Sequence, residues 1–295
     1  MRGWWQDLTD LVLPAECGGC GRPRTALCGG CRAALSGRAP RRVRPAPEPL
    51  GLPVVLAAAP YEDEVRAVLL AHKERGALGL AGPLGAALAG AVLAGAALAA
   101  PRAETRGWGD TGARSWVVGT HGGSQGRTVP LSLVPVPSAR ASVRARGHDP
   151  VRRIALAAAG ELRRTGVPAR VLAVLRQRRA VADQSGLGSR QRQANLAGAL
   201  EVTAGGGRLL AEGGRIVVVD DLMTTGASLT EAARAIRDLH MESSGWAEAA
   251  RGPGTGAVRE PVFGRENAIS AAVVAASPES FEINPELMEN LRRCR

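Results

Sequence analysis

The residues most suited to chemistry are two adjacent acids followed by a loop of small and hydroxyl-bearing residues. They are Asp220, Asp221, Thr224, Thr225, Gly226, Ala227 and Ser228. The β-branched run Ile216 to Val219 predicts a strand buried on both faces, and a helix is predicted from Ser228. Acids at the carboxyl end of such a strand can accept hydrogen bonds from ribose hydroxyls and orient Mg²⁺ through its waters. Backbone N–H groups and hydroxyls of the loop suit a phosphate monoester. The segment therefore predicts a site for a phosphorylated sugar.

Three other interpretations of this segment explain less of it. An apolar strand ending in two acids could carry Mg²⁺ in a nucleoside-triphosphatase, but the chain has no G-x-x-x-x-G-K-[ST] motif. A phosphoacceptor site of the flavodoxin-like kind lacks the Thr-Thr-Gly loop. A purely structural turn has no need of two neighbouring buried carboxylates, because their like charges repel. The sugar-phosphate interpretation is therefore preferred.

A second candidate site lies near the N-terminus, where four cysteines form two C-x-x-C pairs separated by seven residues. These cysteines are Cys17, Cys20, Cys28 and Cys31. Four thiolates in this spacing match a tetrahedral Zn²⁺ site, and so small a glycine-rich segment needs a metal to hold it together. A disulfide pair and an iron–sulfur cluster are the alternatives, although a cytoplasmic setting disfavours disulfides. The fifth cysteine, Cys294, has no predicted partner.

Composition limits the classes of function. The chain has 295 residues, of which 45% are hydrophobic, enough for one α/β domain and a small appendage. A net charge of +11 invites contact with nucleic acid. However, Lys73 is the only lysine among many arginines, and 3% aromatic residues leave little with which to stack bases. Charge alone is therefore a poor argument for dedicated DNA binding.

Two segments bear on localisation, the N-terminal residues and an uncharged apolar stretch. Residues 1–14 contain Asp7 and Asp10 and no long apolar run, so the sequence predicts no secretory signal and a cytoplasmic protein. The uncharged segment from Gly76 to Pro101 is long enough to span a bilayer. It consists mostly of Ala and Gly and lacks Phe, Ile and Trp, so a helix packed against a sheet is expected, with no stable membrane insertion.

The order of apolar segments predicts an α/β domain with a mostly parallel, Rossmann-like sheet. Predicted strands cover 54–59, 131–137, 170–175, 216–219 and 271–276, and predicted helices cover 62–72, 84–99, 150–164 and 228–239. We predict a cysteine module over 1–36, a Pro- and Arg-rich linker over 37–53, the α/β domain over 54–283 and a tail over 284–295. Inserted loops are predicted over 103–129 and 241–267.

The segment from Ile216 to Ser228 resembles the ribose-phosphate signature of type I phosphoribosyltransferases. The resemblance implies that Asp220 and Asp221 hold the ribose 2- and 3-hydroxyls while the following loop cradles the 5-phosphate. In that class the loop after an earlier strand grips pyrophosphate, which implies this role for Arg144 and Arg146 of the R-x-R-G-H-D motif. Arginine suits the role because its planar fork pairs with phosphate oxygens, although a solvated basic surface is an equal alternative.

Two further features accompany this motif, a predicted helix cap and a predicted flap. Asp149 precedes Pro150, which predicts a helix N-cap with proline at the first helical position. The polar segment before the predicted strand at 216 resembles the mobile flap that covers the substrate in this class, with flap residues Gln184, Arg192 and Asn195. An ordinary exposed hairpin is the alternative for that segment.

Taken in order, the motifs are similar to those of the ComF family of competence-associated, phosphoribosyltransferase-like proteins. They comprise the four cysteines, Tyr61, the stretch His72-Lys73-x-x-Gly76, the V-P-V-P strand, R-x-R-G-H-D, the flap and the ribose-phosphate signature. The resemblance implies a zinc-binding N-terminus, a type I phosphoribosyltransferase fold and a link to transforming DNA. Lys73 fits the family pattern without a role that the sequence explains, and a lysine after an amphipathic helix is equally a surface cap.

Two functions are compatible with these residues. The first is an enzyme that transfers a ribose 5-phosphate group from phosphoribosyl pyrophosphate to a nitrogen nucleophile, with Mg²⁺. The second is a non-catalytic module that senses a nucleotide, while the zinc segment and arginines contact single-stranded DNA or a DNA-uptake helicase. The sequence does not choose between them, because one fold can serve both enzymes and ligand sensors.

Overall fold

A computed structural model of the chain describes residues 16–98, 130–179, 188–212, 214–249 and 269–281. The predicted insertion over 103–129, the predicted tail over 284–295, Gln184 and Cys294 lie outside the described residues. The insertion predicted over 241–267 is described only as far as Ala249.

Eight strands and eight helices are present in the described part of the chain. The strands are β1 (Arg41–Val43), β2 (Val54–Pro60), β3 (Leu131–Pro135), β4 (Ala169–Val171), β5 (Leu175–Gln177), β6 (Leu200–Val202), β7 (Arg215–Met223) and β8 (Ser270–Ala276). The helices are α1 (Gly29–Ser36), α2 (Asp63–Glu74), α3 (Ala81–Leu98), α4 (Arg140–Arg146), α5 (Pro150–Arg164), α6 (Ser189–Leu196), α7 (Gly206–Ala211) and α8 (Ala227–Ala249).

The main sheet has six strands in the order β1-β2-β8-β7-β3-β4. Every neighbouring pair is parallel except β1 and β2, so the prediction of a mostly parallel α/β sheet is confirmed. From β3 the chain passes through α5 to β4 on one side, whereas from β7 it passes through α8 to β8 on the other. The direction therefore reverses between β3 and β7. Open α/β sheets bind ligands at the carboxyl ends of strands beside such a reversal.

Helices cover both faces of the sheet. One core contains Val217 and Val219 of β7 together with apolar residues of α2, α3 and α5. The other contains Ile216 and Val218 together with residues of α7, α8 and the β5–β6 hairpin. Side chains of β7 thus alternate between the faces, as expected for a strand buried on both sides.

The cysteine segment packs into the first of these cores. Cys17, Cys28 and Cys31 are buried with residues of α2 and α3. A Cβ atom added at Gly18 would lie 2.6 Å from Leu80 Cδ1, and one added at Gly19 would lie 3.2 Å from Val68 Cγ2. Glycine at these two positions therefore lets the backbone approach the helical layer closely.

The segment Leu78–Leu98, which includes α3, is long and apolar enough to cross a membrane. In the fold, α3 packs against α5, β2 and β8, and Leu84, Leu88 and Val92 are buried. These contacts are those of a core helix, which agrees with the interpretation of the uncharged segment as a helix packed on the sheet.

Three predicted elements differ from the structure. The single strand predicted over 170–175 is wrong, because β4 belongs to the main sheet whereas β5 pairs with β6 in a separate hairpin. Leu172 and Val174 between them are buried, so the apolar pattern continues through the change of sheet and conceals it. The segment predicted as a linker over 37–53 contains β1, and α8 continues beyond 239 to Ala249. The helix predicted over 150–164 has the predicted ends, and the other predicted strands and helices are present with shifted ends.

Candidate functional site

The carboxyl end of β7 places both predicted acids beside the crevice between β3 and β7. Asp220 is 8% exposed and Asp221 is 5% exposed. The backbone N–H of Asp221 donates to Asp220 Oδ1 at 2.9 Å. Since side chains alternate along a strand, the two carboxyl groups project toward opposite faces of the sheet. The sequence predicted that the two acids lie at one site, but it did not predict that their carboxyl groups face opposite sides of the sheet.

Asp220 faces the loop from Thr224 to Ser228 that follows β7. It lines a recess of about 30 Å³ with residues 222–229, which is room for a water-sized group rather than for a sugar. Burial, followed by the neighbouring charge of Asp221, raises the pKa of Asp220 well above its usual value. A cation or a hydroxyl donor next to Asp220 would therefore stabilise its ionised form.

Asp221 faces α2, where Lys73 Nζ donates to its Oδ2 at 2.9 Å. Burial acts to lower the pKa of Lys73, but the charge and the hydrogen bond of Asp221 outweigh it and raise the pKa above its ordinary value. No role for Lys73 was predicted, and the alternative of a surface cap does not account for its contact with a buried carboxylate. No local signal could have revealed the pair, because 148 residues separate its members.

The loop after β7 turns sharply before α8. Gly226 has φ +73°, and a Cβ atom there would lie 3.0 Å from Leu52 Cδ1, so both conformation and space favour glycine. Helix α8 begins at Ala227, one residue before the predicted start. Thr224 is exposed at the outer side of the loop. A sugar phosphate that used the loop would lie over this exposed side, since the recess behind it is small.

One of the predicted flap residues reaches this loop. Arg192 on α6 donates through Nη1 to Thr224 Oγ1 at 3.3 Å, and its Nε is buried without a partner among the described residues. The carbonyl of Asn195 accepts from Arg179 Nη2 at 2.8 Å, within the segment that joins β5 to β6. The structure thus brings Arg192 to the loop after β7, whereas Asn195 contributes to the local fold of the segment between β5 and β6.

The two predicted pyrophosphate-binding arginines lie on the short helix α4. Arg144 is exposed, and Arg146 Nε lies 3.1 Å from Glu74 Oε2 on α2. His148 Nε2 lies 3.3 Å from the carbonyl oxygen of His72, so this segment contacts the end of α2 twice. Arg146 is therefore held near Lys73, although its own charge is partly satisfied by Glu74.

The predicted cap of α5 is confirmed. Asp149 Oδ1 accepts from the backbone N–H of Arg152 at 3.1 Å and from Ser138 Oγ at 3.2 Å. Pro150 occupies the first turn of the helix. The cap ties the end of the β3 segment to the start of α5, which fixes both sides of the loop that carries the arginines.

The four cysteine Sγ atoms lie within 4.8 Å of one another, and all four cysteines are free thiols. Cys20 Sγ lies 3.5 Å from Cys28 Sγ, close to the roughly 3.8 Å between sulfurs of a tetrahedral site with Zn–S bonds of about 2.3 Å. The N–H of Cys28 donates to Cys17 Sγ at 3.3 Å. The cluster therefore suits a metal ion, and its all-sulfur donor set is consistent with Zn²⁺.

Two of these thiols have a lowered pKa. Burial acts to raise the pKa of Cys17, but hydrogen bonds from the N–H groups of Cys20, Cys28 and Gly19 lower it to about 6. The N–H of Cys31 lowers the pKa of Cys28, whereas burial raises that of Cys31 itself. Thiolate is the form that binds a metal, so the N–H groups directed at sulfur favour the bound state.

A larger cavity of about 390 Å³ lies on the outer side of α8, beside residues 49–51 and α6. Its cationic side chains already have partners. Arg234 pairs with Glu231 and with Asp238, and Arg237 Nη1 donates to the carbonyl of Gly51 at 2.8 Å. Because the cationic side chains described in this cavity are already paired, the cavity is a weaker candidate for binding an anionic ligand than the end of β7.

No protein-family model matches the chain, and no curated protein sequence matches it. The fold and the two sites define a mixed α/β protein with a mostly parallel six-stranded sheet. An N-terminal cluster of four cysteines, placed to hold a metal ion, packs against its helical layer.

Proposed function

We propose that this chain is a phosphoribosyltransferase-like protein of the ComF kind, with a type I phosphoribosyltransferase fold. Its ligand would carry a ribose 5-phosphate group, as phosphoribosyl pyrophosphate and nucleotides do. The supporting observation is that β7 delivers Asp220, Asp221 and the loop from Thr224 to Ser228 to the crevice where the sheet reverses direction. Acids, hydroxyls and backbone N–H groups at this position suit a phosphorylated sugar.

In the proposed complex, Asp220 and Asp221 accept hydrogen bonds from the ribose hydroxyls and the loop holds the 5-phosphate. Carboxylate oxygens are ligands that Mg²⁺ and its waters prefer, so the acid pair fits this cation, which would offset charge on the phosphates. Arg144 and Arg146 lie on the segment that follows β3, on the other side of the crevice. Their guanidinium groups would contact the pyrophosphate.

If the protein is an enzyme, the ribose C1–O bond to pyrophosphate breaks and a bond from C1 to a nitrogen nucleophile forms. The nitrogen loses its proton to solvent water, and pyrophosphate leaves with the electron pair of the broken bond. Positive character develops at C1, so the chain mainly orients the two reactants and screens their charges. The cysteine module would hold structural Zn²⁺ in the cytoplasm, where disulfides are rare.

Calorimetry with phosphoribosyl pyrophosphate and Mg²⁺ tests this proposal. We expect binding by the wild type and none by the double variant Asp220→Asn/Asp221→Asn. Asp63→Asn, which changes an exposed acid in the first turn of α2, is the matched control and should bind as the wild type does. Equal binding by the double variant would contradict the site. Turnover with a panel of nitrogenous bases would favour an enzyme, and binding without turnover a nucleotide sensor.

A second candidate function is contact with single-stranded DNA or with a DNA-uptake helicase during handling of transforming DNA. It is favoured by Arg22, Arg24 and Arg32, which are exposed on the cysteine module. Exposed arginines can neutralise backbone phosphates, which makes affinity fall with salt. The affinity for a single-stranded oligonucleotide at several salt concentrations tests it. Replacement of the three arginines by Gln should weaken binding and flatten the salt dependence, and an unchanged slope would exclude the module as the contact.

A further inference from the structure

Lys73 is chemically unique in this chain. The sequence contains 38 basic residues of the Lys and Arg types, and Lys73 is the only lysine. It lies in the last turn of α2, and its side chain is 34% exposed although its Nζ is bonded to the buried Asp221. A flexible ammonium group therefore lies at the boundary between the acid pair and solvent, in a chain that otherwise uses planar guanidinium groups.

The residues on either side of Lys73 fix the end of α2 to the arginine segment. Arg146 pairs with Glu74, and His148 contacts the carbonyl of His72. Arg146 is close enough for its charge to act against that of Lys73. Two cations thus lie near each other at the end of α2, each with one acidic partner, Asp221 for Lys73 and Glu74 for Arg146. Both side chains are partly exposed, so an anionic group of a ligand at this position would be attracted by both.

The position of this cationic pair relates to the two ends of the proposed ligand. The loop from Thr224 to Ser228 lies on the side of Asp220, whereas Lys73 and Arg146 lie on the side of Asp221. A ribose held by the two acids would direct its 5-phosphate to the loop. A second anionic group on the sugar would then lie toward Lys73.

Resting on the proposed function, we propose that Lys73 contacts the pyrophosphate of the ligand and makes the site selective for a sugar with two anionic ends. While the site is empty, Asp221 neutralises Lys73. When the ligand enters, the ammonium group moves from Asp221 to the pyrophosphate oxygens, and Asp221 becomes available to the ribose hydroxyls. The preferred ligand is then phosphoribosyl pyrophosphate over ribose 5-phosphate.

Binding of the two sugars to full-length variants tests the selectivity. Lys73→Met should weaken binding of phosphoribosyl pyrophosphate by about 10- to 100-fold, the effect of losing one charge-assisted contact, and should change ribose 5-phosphate binding little. Lys73→Arg keeps the charge and should restore most of the affinity. Arg75→Gln removes one charge two residues further along and should leave both affinities unchanged. Arg75 is exposed and donates only to the carbonyl of Ala67 among the described contacts.

The single lysine also allows a direct readout. Reductive methylation with ¹³C-formaldehyde labels only the amino terminus and Lys73, and it retains the charge of both amines. The Lys73 signal should move on addition of phosphoribosyl pyrophosphate or of pyrophosphate alone. With ribose 5-phosphate it should stay in place.

The outcomes separate this inference from the proposed function. If the wild type binds both sugars equally, or if Lys73→Met weakens both to the same extent, the ribose-phosphate site stands and the role of Lys73 is wrong. The role of Lys73 is also wrong if saturating phosphoribosyl pyrophosphate leaves the Lys73 signal unmoved. If the wild type binds neither sugar, the proposed function fails and the inference fails with it.

Discussion

The cysteine module and the end of β7 arrange their chemical groups in different ways. In the module, four sulfurs from the short stretch between Cys17 and Cys31 already lie within 4.8 Å of one another. At the end of β7, Asp221 meets a lysine that is 148 residues away in sequence. The first site is therefore determined by local spacing, whereas the second exists only when the whole sheet and its helices are packed.

The two regions nevertheless share one helix. Val68 of α2 lies in the same core cluster as the buried cysteines, and Lys73 at the end of the same helix contacts Asp221. Helix α2 therefore connects the two sites. Since the sulfur cluster is built within one short segment, we expect substitutions near the acid pair to leave the metal bound, whereas loss of a sulfur ligand should destabilise the whole fold; we call this difference the asymmetry. Four variants are ordered from the largest expected effect to the smallest, and the first two test the asymmetry.

The largest effect is expected from loss of a metal ligand. Cys17→Ser should reduce bound Zn²⁺ from near one per chain to near zero and lower Tm on the order of 10 °C, because metal binding and folding are coupled. Metal analysis and thermal unfolding measure the two changes. Cys294→Ser alters the one cysteine outside the cluster and should change neither. Full zinc occupancy in the Cys17 variant would contradict a four-sulfur site.

A smaller effect is expected from the loop between β7 and α8. Gly226→Ala should lower the free energy of unfolding by about 1–2 kcal/mol, because φ is +73° there and Leu52 leaves little space. Urea unfolding measures it. Gly160→Ala, inside α5 where no atom lies within 4 Å of the added Cβ, should instead stabilise the protein by about 0.5–1 kcal/mol. Zinc content should stay unchanged in both, and a loss of zinc from the Gly226 variant would overturn the asymmetry.

A cap residue beside the crevice should have a more modest effect. Asp149→Ala should cost about 1 kcal/mol of unfolding free energy, because the backbone N–H of Arg152 loses its acceptor. Asp149→Asn keeps a capping oxygen and should retain most of the stability. Chemical denaturation of the two variants provides the comparison. Equal losses in both would show that the charge of Asp149, rather than its cap, matters.

The smallest effect on stability is expected at Asp220, one of the two acids that we propose to bind the ribose. The folded-state pKa of Asp220 is raised, so its protonated form stabilises the fold at low pH, and this contribution is lost as pH rises through the folded value. Asp220→Asn does not titrate. At pH 7 it should therefore be at least as stable as the wild type. The difference should shrink as pH falls through the raised folded-state pKa of Asp220 and should be absent below the unfolded value of about 4. Unfolding across this pH range checks it, and a clearly destabilised variant at neutral pH would show that ionised Asp220 supports the fold.

Sequence patterns identified those parts of the molecule that local chemistry determines. The strand at 216–219, the cap at Asp149 and the cysteine cluster follow from burial, capping and ligand spacing within short segments. The contact of Lys73 with Asp221 and that of Arg192 with Thr224 depend on the packing of distant elements, so no local pattern encodes them. The split of 170–175 into two strands was hidden because Leu172, Val174 and Leu175 are all buried, so the apolar pattern continues across the break.

The short strand β1 also has a consequence for how copies of the chain meet. An uncovered sheet edge offers free N–H and C=O groups to a strand of another molecule. Here Val43 forms a bridge with Phe281, and the N–H of Arg44 donates to the carbonyl of Ser280 at 2.7 Å. The guanidinium of Arg41 lies over the Phe281 ring at 5.6 Å. Two copies cannot join their sheets through β1 until these contacts break, so this side of the fold resists strand-by-strand aggregation.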